Sequence, residues 1–86
     1  MASVAEVKAA IDAAMLHVQE GQLAVRCANE QLGEAQLNLA TAVEGSGHEA
    51  VQTAQAALAQ AAAELQECLT ATLLAMDQAE TYVATL

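Results

Sequence analysis

The sequence predicts an all-α fold: two long antiparallel helices forming a helical hairpin, an Ala-rich antiparallel coiled coil. Three observations predict it. The chain has 86 residues without a single Pro, and 23 of its positions are Ala, so helix-forming residues run almost unbroken. The strong break is the segment Glu44-Gly45-Ser46-Gly47-His48, close to the middle. On both sides of that break, apolar residues recur with a period of about 3.5.

Helix 1 is expected over about residues 4–43. It opens with a capping box, in which Ser3 accepts from the backbone N–H of Glu6 and Glu6 reaches back to Ser3. Gly45 suits the left-handed position that ends a helix, where a Cβ would clash. The turn is expected over 44–47, with Gly47 inside it. Helix 2 follows over about residues 47–85, opened by a second capping box from Ser46 and Glu49. Each helix would be about 55–60 Å long, and the whole chain, 1–86, forms one domain.

The heptads set the expected seam. In helix 1, Val4, Ile11, Val18, Val25, Leu32 and Leu39 alternate with Val7, Ala14, Gly21, Ala28, Ala35 and Ala42. In helix 2, Val51, Leu58, Leu65, Thr72, Ala79 and Leu86 alternate with Ala54, Ala61, Cys68, Ala75 and Tyr82. Antiparallel pairing about the turn gives partner numbers that sum to about 93, and large then faces small in successive layers, the condition for close approach. Val18, Val25, Leu32, Leu39, Val51, Leu58 and Leu65 are the expected hairpin core, and Gly21 is expected in the seam opposite Thr72.

Outside that seam the sequence leaves apolar residues unclaimed. Leu16, Leu23 and Leu37 line the back of helix 1, and Leu69, Leu73, Leu74, Met76 and Val83 cluster near the end of helix 2. An apolar surface of that extent on an isolated hairpin marks a partner interface. Pairing with a second hairpin into a four-helix bundle is the simplest way to cover it. The partner is a protein, in a homodimer or a heterodimer.

Composition excludes several other functions. Eleven acidic residues stand against Lys8 and Arg26, a net charge of −9. Two cations cannot neutralise a row of phosphates, which argues against nucleic acid and anionic membrane surfaces. Tyr82 is the one aromatic residue, so stacking platforms and aromatic cages are out. No run of about 18 apolar residues offers a membrane span. Glu6 and Asp12 fall where the apolar stretch of a secretory signal peptide would sit. The expected location is cytoplasmic, or outside the cell by export without a cleavable signal peptide.

The residues capable of chemistry do not form a reactive constellation. His17 and Glu20 are three apart, the reverse of the Glu-x-x-His order of di-metal bundles, and Glu64 and Glu67 lie outside the seam. Glu44, Ser46, His48 and Glu49 gather at the turn, but a tight interhelical turn offers neither a rigid pocket nor an oxyanion hole. Gly45-Ser46-Gly47 is too short to cradle phosphate, and no Lys follows it. Cys27 and Cys68 are 41 residues apart, neither a metal spacing nor a disulfide framework. They read as two thiols in a reducing compartment, with Cys68 turned toward the core and Cys27 away from it. No catalytic residue, metal or cofactor is expected, and no small-molecule substrate.

In architecture the chain resembles the small secreted proteins of type VII secretion, the Trp-x-Gly family and its Ala-rich Pro-Glu relatives. The resemblance rests on two capped helices of near-equal length joined at Gly45-Ser46-Gly47, and on few basic residues. The family's turn carries Trp-x-Gly where this chain has Glu44-Gly45-Ser46-Gly47. The family's export signal, a Tyr followed four residues later by an acid, meets Tyr82 and Leu86 here. The resemblance implies dimeric four-helix bundles and a role as a small partner or targeting protein of a type VII-like secretion system. The residues alone also accommodate a cytoplasmic adaptor, a chaperone-like bundle or a structural homo-oligomer.

Overall fold

A computed structural model describes residues 2–45 and 47–86. It is a hairpin of two helices, α1 (Val4–Ala42) and α2 (Glu49–Thr85). The molecule measures 64 × 17 × 15 Å. At 1.5 Å per residue α1 is about 58 Å long, so the hairpin is one helix long and two helices wide.

The ends of the helices follow from local chemistry. Ser3 Oγ accepts from the Glu6 N–H at 3.1 Å, and Glu6 Oε2 accepts from the Ser3 N–H at 3.4 Å, which completes the expected capping box. Helix α1 ends at Ala42, and Gly45 follows with φ +80°, the left-handed backbone that a side chain would strain. Helix α2 is capped differently from expectation. Its N-cap is His48, whose Nδ1 accepts from the Ala50 N–H at 3.0 Å, and the helix begins at Glu49 rather than 47. Glu49 therefore occupies the first helical position, not the third, and cannot complete a capping box from Ser46. Ser46 itself lies outside the described residues.

The seam keeps the predicted large rows, apart from Val4 and Leu86, which are exposed, and exchanges their companions. Ile11, Val18, Val25, Leu32 and Leu39 are half-buried on α1, as are Val51, Leu58 and Leu65 on α2. On α1 and its C-cap the second row is Met15, Gln22, Asn29, Gln36 and Val43, and Gln22 is only 5% exposed. On α2 it is Gln55, Ala62, Leu69, Met76 and Val83, and Leu69 is 7% exposed. Ala14, Gly21, Ala28, Ala42, Ala54, Cys68 and Ala75, expected inside, are exposed. Each helix is turned by one position relative to the expected packing, and large does not face small throughout.

The reason is a competition between rows. One rotation buries Ala, Gly and Cys; the other buries Met15, Leu69, Met76 and Val83. A buried Leu, Met or Val side chain contributes about 1.5–3 kcal/mol, well above what an Ala methyl contributes. That gain carries Gln22, Asn29, Gln36 and Gln55 inward, and hydrogen bonds across the hairpin offset part of their desolvation. Gln22 Nε2 donates to Thr72 Oγ1 at 3.0 Å and to Met76 Sδ at 3.4 Å. Gln55 Nε2 donates to the Gln36 carbonyl at 3.2 Å. Gln22 with Thr72, and Gln36 with Gln55, bracket the partner sum expected from the turn. The longitudinal register holds while the faces rotate.

Candidate partner-binding surface

The rotation gives the hairpin two unlike faces. On one, the rows beside the seam are Ala14, Gly21, Ala28, Ala35 and Ala42 on α1, with Ala54, Ala61, Cys68 and Ala75 on α2. These rows hold no charged side chain. The other face carries Asp12, Leu16, Arg26 and Glu30 from α1 beside Gln66, Leu73 and Glu80 from α2, as two grooves between the helices show.

The leucines expected at an interface divide accordingly. Leu16, Leu23 and Leu37 are 60–66% exposed, and Leu73 and Leu74 are 53% and 61% exposed. These five are available to a partner. Leu69, Met76 and Val83 are not part of an outer ridge; they belong to the seam between α1 and α2. Their spacing, four residues beyond Leu65, Thr72 and Ala79, was the signal that could have placed them there.

Total accessible surface makes the same point in a second way. The chain exposes 6113 Å² at a mass of 8.8 kDa. A compact protein of that mass exposes about 4,800 Å². Two helices thus leave uncovered surface that a third or fourth helix would remove from water.

Of the two grooves on the leucine-bearing face, the one at the open end is the more apolar. Its floor is Ile11, Met15, Met76 and Val83, and its volume is about 470 Å³. Asp12 and Glu80 stand at its margins with Leu16. The second groove, nearer the middle, is lined by Arg26, Asn29 and Glu30 against Gln66, Leu69 and Leu73.

His17 Nδ1 lies 3.7 Å from Glu20 Oε2 with both side chains at least 75% exposed. Among the described residues no three His, Cys, Asp or Glu side chains come together as a metal site. Cys27 and Cys68 are free and exposed, so Cys68 does not point into the core as the heptads suggested. The seam rotation places Cys68 beside the core and leaves Cys27 on the far side of α1. Among the described residues, no helix is long and apolar enough to cross a membrane. No protein-family model matches the chain, and neither a curated protein nor a solved structure is similar to it.

Proposed function

We infer that the chain is a non-enzymatic interaction module that works by helix-on-helix association. Its specific role, on this reading, is that of a small partner or targeting protein of a type VII-like secretion system. One observation carries the inference: five leucines stand more than half exposed on a hairpin whose described residues include only two that are buried, Gln22 and Leu69. Soluble proteins rarely leave apolar surface of this density without a partner. A two-helix unit also lacks the enclosed, water-excluding pocket that catalysis requires.

The test separates the module from its role. Leu16→Asp combined with Leu23→Asp changes two exposed positions, so the far-ultraviolet circular dichroism should keep its helical signal. Light scattering over a hundredfold concentration range, alone and with the native host's proteins, should show complex formation by the parent chain and its loss in the double variant. Retention of the complex at full strength would move the interface off this ridge. The secretion role is read separately, as appearance in the culture medium that depends on the secretion ATPase. Retention in the cells would remove that role and favour a cytoplasmic adaptor.

A further inference from the structure

We propose that the groove at the open end of the hairpin is the docking site for a basic amphipathic helix of another protein. The proposal rests on the module reading above and names the chemistry of its partner. The groove has an apolar floor, Ile11, Met15, Met76 and Val83, which α1 and α2 half-bury between them and which the described residues leave open on one side. Leu16, 60% exposed, extends that apolar surface outward. A third helix laid there would turn the two-helix seam into a three-helix core, the usual way an amphipathic helix enters a groove.

Charge selects the helix. Asp12 and Glu80 border the groove, one from each helix, and no cation lines it. A partner helix with an apolar stripe flanked by Lys or Arg would place its cations against both carboxylates. The net charge of −9 would draw it in from a distance. A second copy of this chain fits poorly on the same face. It carries eleven acidic residues against Lys8 and Arg26, so it could form few charge pairs there. A basic amphipathic peptide is also a membrane-surface motif, so shielding such a segment before delivery is a natural use of the groove.

The experiment uses the full chain and two synthetic probes. One is a fluorescein-labelled helical peptide of about five turns with Leu at core positions and Lys beside them. The other has the same Leu pattern with Glu in place of Lys. Fluorescence anisotropy should show the Lys peptide binding at least about tenfold more tightly than the Glu peptide. Asp12→Asn with Glu80→Gln should erase most of that preference. Glu34→Gln with Glu67→Gln, equal in charge but away from the groove, should leave most of it. Amide chemical shifts should move over residues 11–19 and 76–83. Equal binding of both peptides, binding of neither, an equal response to the two charge-neutral pairs, or shifts centred near the turn would each overturn the proposal. Self-association by sedimentation is recorded on the same samples. A stable dimer that ignores both peptides would sink the basic-helix assignment and leave the module reading standing.

Discussion

The two halves of the seam are built from different materials. Toward the turn, Gln36, Asn29 and Gln55 sit among Leu39, Leu32 and Leu58. Toward the open end, Ile11, Met15, Val18, Met76 and Val83 are all apolar. Gln22 and Thr72 mark the boundary between them. Near the turn the connection already holds the helices together, and closing one further layer costs little chain entropy. Polar residues are tolerated there. At the open end no tether helps, and the last layers stay closed only through what they bury. The turn thus holds the nearer layers together, and the apolar layers beyond Gln22 hold the open end.

A charge in the apolar half should have the largest effect. Met76→Asp places an unpaired carboxylate in the seam beyond Gln22, among Ile11, Met15 and Val83. It should cost at least about 3 kcal/mol, a large share of what so small a domain has. Loss of most helical circular dichroism at 25 °C is the expected result. Leu58→Asp, in the half-buried and tethered region, should cost less and keep residual helix beside the turn. Equal losses from the two variants would end the distinction between the halves.

Two glycines should respond in opposite ways. Gly45 holds φ +80°, so Gly45→Ala should lower stability by about 1 kcal/mol. Gly21 lies inside α1, and a Cβ built there meets nothing within 4 Å. Gly21→Ala should therefore raise stability by about 0.5–1 kcal/mol, since Ala loses less backbone freedom in a helix than Gly. Thermal melts of the two variants should shift in opposite directions. A destabilised Gly21→Ala would return this position to a close-packed seam.

Much of this fold was legible in the sequence, for identifiable reasons. Ser3 and Glu6 stand in a spacing with one good solution. Gly45 offers the backbone freedom that the turn needs, and the period of Val18, Val25, Leu32 and Leu39 admits no strand. What could not be read was the rotation of the helices about their axes. Two candidate rows flank each large row, and on α1 the apolar choice was the Ala row while the structure takes Gln22, Asn29 and Gln36. Residue-by-residue hydropathy on one helix hides this, because the deciding burial, of Leu69, Met76 and Val83, comes from the other. The exposed ridge of Leu16, Leu23 and Leu37 was visible from spacing alone. The grooves were not, since they need both helices in their final rotation. The cap at His48 was missed because Ser46 and Glu49 offered a stronger local motif.

Gln22 supplies the smallest effect and the most informative. It is 5% exposed and joined to Thr72 and Met76 across the seam. Thr72 Oγ1 also donates to the Leu69 carbonyl at 2.8 Å, so it keeps a partner when Gln22 is removed. Gln22→Leu should consequently leave no buried polar group stranded, and it adds apolar contact at the boundary layer. A gain of up to about 1 kcal/mol is expected in thermal melts. The more telling readout is specificity. A polar residue in a coiled-coil seam fixes register and partner number at some expense in stability. With Leu at position 22 the apolar half would reach further toward the turn, and alternative pairings would lose their penalty. Sedimentation at high concentration should then show additional oligomers absent from the parent chain. If Gln22→Leu instead melts lower and keeps a single species, the hydrogen bonds at this layer contribute more to stability than to selection. The boundary between the two halves would then be a fastening point in its own right.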